Sequence, residues 1–132
     1  MTLSPSLGVI GLGRMAQALI EPLLLSGQVS AETVLAVVGR PESADACRKG
    51  AFTDIVIHPV DSAEAAAVWS APLQLLAVKP QQIESVSASA PGVSDSPLLV
   101  SVLAGVSVER LQRLFPGHRV VRAVPNLSLI HI

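Results

Sequence analysis

Short apolar runs alternate along this chain with segments whose apolar residues recur at helical spacing. The runs predict six strands, at residues 7–10, 33–38, 54–57, 73–78, 98–103 and 119–124. Helical composition follows at residues 15–25, 42–49, 62–69, 81–89 and 108–115, with Ser107 as an N-cap. Helical segments of about 10 to 15 residues between strands are typical of parallel pairing. The alternation therefore predicts an α/β fold with a doubly wound parallel sheet in a single three-layer domain.

Composition narrows the class of protein. The chain has 132 residues, 50% of them hydrophobic but 2% aromatic, so the core is expected to consist of Leu, Val, Ile and Ala. The net charge of -1 lacks the basic excess that nucleic acids or anionic membranes attract. Cys47 is the single cysteine, which excludes an intrachain disulfide and indicates a reducing, cytoplasmic location. No run reaches the roughly 18 apolar residues of a membrane span.

A glycine motif lies between the first predicted strand and the first predicted helix. Residues 11–16 read GLGRMA, which fits the G-x-G-x-x-(G/A) pattern of Rossmann-like dinucleotide-binding domains. Gly11 permits a tight turn, Gly13 lets the backbone approach a pyrophosphate, and Ala16 allows close packing of helix on sheet. The helix N-terminus would face the anion. The alternative is a glycine-rich turn that holds no ligand.

Arg40 follows the second predicted strand, where NAD-binding domains usually carry an Asp or Glu that accepts hydrogen bonds from the ribose. A guanidinium can instead pair with a 2′-phosphate through two hydrogen bonds. The sequence therefore favours NADPH over NADH as cofactor. The alternative for Arg40 is a solvated side chain at a loop tip.

Other polar residues give weaker signals. Lys79 and Pro80 end the fourth predicted strand, and Lys79 is interpreted as an ordinary charge beside a wet cleft rather than as a catalytic group. His58, His118 and His131 lack the spacing of metal ligands and are expected in loops or on the surface. No metal site and no catalytic residue is assigned.

Four ordered segments together resemble pyrroline-5-carboxylate reductase. They are IGLGRMAQAL at 10–19, AVKPQ at 77–81, SVLAGVS at 101–107 and VRAVPN at 121–126. The glycine segment is shared with the 3-hydroxyisobutyrate type of dehydrogenase, whereas the second and fourth segments favour the reductase. The resemblance covers residues 7–126 and corresponds to the family's N-terminal NAD(P)-binding domain.

The resemblance implies an oxidoreductase that converts 1-pyrroline-5-carboxylate to L-proline with NADPH, or alternatively NADH. It also implies the residues that contact the cofactor. They are Ile10, Gly11, Leu12, Gly13, Arg14 and Met15 around the pyrophosphate, Arg40 beside the adenosine ribose, Ser62 near the adenine, Val78, Lys79 and Pro80 along the groove, Ala104 near the nicotinamide, and Asn126 near the active-site cleft. Arg14 departs from the family, which usually has Asn or Gln there.

The end of the sequence departs further from the family. Residues 127–132, LSLIHI, do not continue its pattern and match a translation of the transposase mosaic-end adapter used in sequencing libraries. The family continues into a helical C-terminal domain that forms the homo-oligomer and completes the substrate site. We therefore expect a Rossmann domain at 1–126, a tail that is adapter-derived, and a truncated chain without turnover. The alternatives are a stand-alone NADP-binding or sensing module and a related NADP-dependent hydroxyacid dehydrogenase domain.

Overall fold

A computed structural model describes residues 5–39, 50–52, 54–60, 62–90 and 96–123. Within them lies a six-stranded sheet in the order β3-β2-β1-β4-β5-β6, with every neighbouring pair parallel. The strands are β1 (Leu7–Ile10), β2 (Val34–Val38), β3 (Val56–Pro59), β4 (Leu73–Leu76), β5 (Leu98–Ser101) and β6 (Arg119–Arg122). The predicted doubly wound fold is confirmed. Since the chain reverses direction across the sheet at β1, the switch point lies between β1 and β4.

Helical segments cover the two faces of the sheet. Within the described residues, the α-helices are α1 (Arg14–Leu25), α2 (Ile83–Ser89) and α3 (Val108–Leu114), and the 3₁₀ helices are Ala31–Thr33, Gly50–Phe52, Ala63–Ser70 and Pro80–Gln82. Ser107 caps α3 as predicted, because its hydroxyl accepts a hydrogen bond from the Arg110 N–H at 3.2 Å.

The core consists of two apolar clusters, one on each face of the sheet. Val9 of β1 packs with Ala16 and Ile20 of α1 on one face. Ile10, the next residue, packs on the other face with Val68 of the 3₁₀ helix Ala63–Ser70. Side chains of a strand point alternately to the two faces of the sheet. Because both faces are covered, all five residues of β2 are buried. Continuous apolar strands of this kind are typical of a parallel sheet covered on both sides.

Several predicted elements differ from the structure. The fourth, fifth and sixth strands each end two residues earlier than predicted, at Leu76, Ser101 and Arg122. The third strand starts two residues later than expected and ends at Pro59. Proline is tolerated there because β3 is an edge strand that pairs with β2 alone. The segment predicted as a helix at 62–69 is a 3₁₀ helix, and a Cβ on Gly8 would lie 2.6 Å from its Val68 carbonyl oxygen. The backbone of this 3₁₀ helix therefore packs closely on β1, at a position where Gly8 has no side chain.

The expectation that the histidines lie in loops or on the surface is wrong for His58, whereas His118 does lie in the loop between α3 and β6 but is buried there. His118 is 5% exposed, and its Nε2 lies 2.7 Å from Oε1 of buried Gln74. His58 is a partly buried residue of β3. No spacing pattern could indicate the burial of His118, because its partner Gln74 is 44 residues away in the chain. Among the described residues, no helix is long and apolar enough to cross a membrane.

Some predictions fall outside the described residues. They concern Arg40, Cys47, the helix at 42–49, Asn126, His131 and the tail at 127–132.

Candidate functional site

Gly11 forms the turn that leaves β1 at the carboxyl edge of the sheet. Its φ is +90°, and its N–H donates to the Val37 carbonyl oxygen at 2.8 Å. A Cβ at this position would lie 2.7 Å from the Ala77 carbonyl oxygen. Both the left-handed backbone and the close approach of the chain leaving β4 therefore require glycine. The turn lies at the switch point, where ligands bind in open α/β sheets.

Gly13 is the N-cap of α1 and lies in open space. No atom of the described residues lies within 4 Å of a Cβ built on it, and α1 has neither a side-chain cap nor an acidic residue in its first turn. The Gln17 N–H makes the helix bond to the Gly13 carbonyl oxygen at 3.0 Å, so the N–H groups of residues 14–16 have no intrahelical acceptor. Arg14 adds an exposed cation. This end of α1 has the charge and donors that suit an anion.

An apolar cleft opens beside the glycine turn. Its volume is about 110 Å³, and its walls come from the ends of β1, β2 and β3 and from the segment after β4. The lining residues are Ile10, Gly11, Val37, Val38, Gly39, Val60, Val78, Gln82, Ser85 and Val86. Apolar walls with a few polar groups are typical of a site for a flat organic ring.

A second cavity, of about 170 Å³, adjoins this cleft. The two share Ile10, Val37, Val60 and Val86, and the second is closed by the 3₁₀ helix Ala63–Ser70. Ser62 lines it, and the Ser62 hydroxyl donates to the Pro59 carbonyl oxygen at 2.7 Å. Trp69, the single tryptophan of the chain, also lines it. A ligand in the cleft would therefore lie close to an intrinsic fluorophore.

The predicted site residues fall into three groups. Ile10, Gly11 and Val78 line the cleft, and Ser62 lines the adjoining cavity. Leu12 is buried and Met15 partly buried, so these two would meet a ligand chiefly through their backbone. Exposed positions next to the cleft or at the same edge of the sheet are taken by Gly13, Arg14, Lys79, Pro80 and Ala104. Arg40 and Asn126 lie outside the described residues.

Seven residues of the cleft were missed from the sequence, and three of them, Val37, Val38 and Gly39, lie at the end of β2. Val60 follows β3, whereas Gln82, Ser85 and Val86 belong to the segment that starts at Pro80. The position of Val60 at the carboxyl end of a parallel strand was an available signal. Gln82 and Ser85 had no such signal, because they enter the cleft only through the packing of α2 against the sheet.

The strand order and the glycine turn at the switch point define a Rossmann-type domain. The chain belongs to the family described as "NADP oxidoreductase coenzyme F420-dependent", which matches residues 6–105.

The resemblance to pyrroline-5-carboxylate reductase is confirmed by curated relatives. The Synechocystis pyrroline-5-carboxylate reductase is 40% identical over 124 residues, which are 94% of this chain and 45% of that protein. Pyrroline-5-carboxylate reductase 3 of Bos taurus is 38% identical over 125 residues, which are 93% of this chain and 39% of that protein. The match is to the N-terminal part of the relatives. The chain thus spans less than half the length of these relatives.

Solved structures show the same fold. A pyrroline-5-carboxylate reductase from Coxiella burnetii aligns with a TM-score of 0.74 and 22% identity, over 94% of this chain and 45% of that one. The Plasmodium falciparum pyrroline carboxylate reductase with NADP bound aligns with a TM-score of 0.70 and 22% identity, over 99% of this chain and 45% of that one.

Proposed function

We propose that residues 1–126 form the NADP(H)-binding domain of a pyrroline-5-carboxylate reductase, which reduces 1-pyrroline-5-carboxylate to L-proline in proline biosynthesis. The observation that carries the proposal is the Gly11–Gly13 turn, placed between an uncapped helix N-terminus and an apolar cleft. The relatives' names supply the substrate. The enzyme is cytoplasmic in this proposal, and its full-length form is a homo-oligomer.

The pyrophosphate would lie at the start of α1. The N–H groups after Gly13 donate to it, and the Arg14 guanidinium offsets its charge. A side chain at Gly13 would occupy the space through which the phosphates approach the backbone. In this arrangement Ile10 and Leu12, whose side chains are buried, and Met15, which is partly buried, hold the turn in place.

The adenosine would occupy the cleft at the end of β2. Val38, Val60 and Val78 offer apolar surface to the adenine ring, while Ser62 lines the cavity behind it. Gly39 lines the cleft and Arg40 is the next residue, so the guanidinium is the group we assign to the 2′-phosphate. Two charge-assisted hydrogen bonds to that phosphate would favour NADPH over NADH.

The nicotinamide would extend toward the turns that follow β4 and β5. Lys79, Pro80 and Ala104 lie in these turns, and Asn126 completes the groove in this proposal. NADPH, when bound, supplies the hydride for reduction of the cyclic imine. The contribution of this chain is to fix the position of the dinucleotide, which is a large part of catalysis in hydride transfer.

Titration of the chain with NADPH and NADH tests the proposal, after a thermal melt shows that the chain is folded. Trp69 fluorescence reports binding, because this residue lines the adjoining cavity. We expect NADPH to bind at least about tenfold more tightly than NADH, which corresponds to roughly 1.4 kcal/mol. Arg40→Asp should remove the preference, whereas Arg113→Asp, an exposed position on α3, should preserve it. A folded chain that binds neither dinucleotide overturns the proposal.

Substrate assignment needs a longer protein that carries this domain. NADPH consumption with 1-pyrroline-5-carboxylate, and none with a 3-oxo acid, would support the reductase. The opposite result would assign the domain to a hydroxyacid dehydrogenase.

A further inference from the structure

Gln82 closes the turn that follows β4. Its backbone N–H donates to the Lys79 carbonyl oxygen at 2.8 Å, and its side-chain Oε1 accepts from the Lys79 N–H at 3.3 Å. The side-chain bond is the Gln82 half of a capping box at the start of the 3₁₀ helix Pro80–Gln82, and the backbone bond closes the turn of that helix. Val78 lines the cleft, and Lys79 is the next residue. By holding the Lys79 backbone, Gln82 therefore also holds this side of the cleft in place.

Gln82 also lines the cleft itself. The described lining residues include two with polar side chains, Gln82 and Ser85. The Ser85 hydroxyl donates to the Gln82 carbonyl oxygen at 2.9 Å, so its proton is directed to the main chain. The Oε1 of Gln82 is engaged by Lys79, which leaves its Nε2 as the donor end of the amide. The cleft thus combines apolar walls with an amide donor from α2's leading turn.

We propose that Gln82 is a specificity-determining residue that donates a hydrogen bond from Nε2 to the edge of the adenine ring while its Oε1 holds the Lys79 peptide in place. The proposal rests on the proposed NADP(H) function. Adenine carries ring nitrogens that accept hydrogen bonds at its edge. The faces of the ring are apolar and can pack against the valine side chains that line the cleft. One side chain therefore couples recognition of the purine to the shape of the turn.

Three variants separate the two roles of Gln82. Gln82→Glu keeps an acceptor for the Lys79 N–H but removes the donor. Gln82→Met removes both acceptor and donor. Gln81→Glu is the matched control, because it adds the same charge at an exposed neighbouring position that does not line the cleft. Hydrogen exchange at the Lys79 amide reports the cap, and NADPH titration reports the ligand contact.

We expect Gln82→Glu to keep the Lys79 amide protected and to weaken NADPH binding by at least about tenfold, a hydrogen bond's worth of affinity. Gln81→Glu should change NADPH affinity less than about threefold, as expected for an exposed charge. Gln82→Met should weaken binding and also speed Lys79 exchange. If Gln82→Glu binds NADPH as tightly as Gln81→Glu does, the proposal is overturned.

Two fragments of the cofactor show where Gln82 acts. Adenosine 2′-monophosphate should lose affinity for Gln82→Glu by the same factor as NADPH, whereas reduced nicotinamide mononucleotide should bind equally to both proteins. Equal loss for the two fragments would show that Gln82 acts only through the turn, and would overturn the adenine contact. A wild-type chain that binds no dinucleotide overturns the proposed function itself. A wild-type chain that binds while Gln82→Glu behaves like the control overturns the Gln82 proposal alone.

Discussion

The two ends of the parallel sheet are stabilised by different means. At the carboxyl ends of the strands the structure is fixed by backbone, with Gly11 packed on the Ala77 carbonyl and an uncapped helix start at Gly13. At the amino ends of β4 and β6 it is fixed by side chains. There the Nε2 of Gln74 donates to the Trp69 and Ala71 carbonyl oxygens, both at 3.0 Å, while its Oε1 meets Nε2 of His118.

Aromatic rings enclose the polar pair at the amino end. The His118 ring lies edge-on to Phe115 and Trp69, with centroids 5.4 and 5.9 Å away, and those two rings are 5.8 Å apart. Since Gln74 gives both amide hydrogens to carbonyls, His118 is assigned as the donor at Nε2. This end has its polar groups satisfied internally, whereas the carboxyl end keeps its helix N–H groups available for a ligand. The amino ends of the strands therefore serve mainly the stability of the fold, whereas the carboxyl ends are suited to bind a ligand.

The largest effect on folding is expected from Gly11→Ala. The new Cβ would combine a left-handed backbone with a contact of 2.7 Å to the Ala77 oxygen, so we expect a loss of about 4 kcal/mol in the free energy of unfolding. Gly27→Ala is the matched control, because Gly27 has φ of +78° but no atom of the described part of the chain within 4 Å of its Cβ position. It should lose only about 1 kcal/mol. Urea unfolding measures both, and equal losses would show that the contact with Ala77 is relaxed at little cost.

Gln74→Leu removes the side-chain hydrogen bonds at the amino end of the sheet. The substitution leaves the buried His118 donor and the Trp69 carbonyl without a side-chain partner, so the free energy of unfolding should fall by about 2 to 3 kcal/mol. The double variant Gln74→Leu/His118→Phe should recover part of the loss, since removal of both partners leaves fewer unpaired groups. Denaturant titration measures the series. NADPH affinity of the folded variants should remain that of the wild type, and a change there would contradict the division between the two ends.

The glycine turn at the carboxyl end was predictable from sequence, and the polar pair at the amino end was not. The glycine spacing at residues 11–16 identifies the turn because only glycine suits a positive φ with a close backbone neighbour. That signal is local. Gln74 and His118 are 44 residues apart, and their pairing depends on β6 lying next to β5 and on the turn after α3. No spacing rule connects such residues.

Element types followed from hydrophobic periodicity, but their exact form depended on packing. Six strands and the Ser107 cap were predicted because apolar runs and capping residues act locally. The segment at 62–69 carries helix-forming alanines, yet it is a 3₁₀ helix, with its Val68 carbonyl close to Gly8 of β1. Gln82 was missed for a similar reason, since its place in the cleft depends on how α2 is seated.

Acidification should lower the free energy of unfolding through His118 at the amino end, by less than Gln74→Leu does. Burial lowers the pKa of His118, because the charged imidazole loses hydration in the core. The folded state therefore favours neutral His118, and the stability is fully present above the unfolded pKa of about 6.5. It is lost as pH falls from there through the lower folded pKa. Urea unfolding between about pH 7.5 and 5 should show a larger drop for wild type than for His118→Phe. Parallel profiles would contradict this assignment.

Gly13→Ala should have the smallest effect on folding and a large effect on binding. Its φ of -82° suits alanine and the Cβ would meet open space, so the free energy of unfolding should change by less than about 1 kcal/mol. The methyl group would nevertheless lie where the phosphates approach the backbone, and we expect at least about tenfold weaker NADPH binding. Isothermal titration of a variant with a wild-type melting curve makes the comparison. Unchanged affinity would mean that the pyrophosphate does not lie over Gly13, whereas the expected loss would show that the open end of α1 serves the ligand rather than the fold.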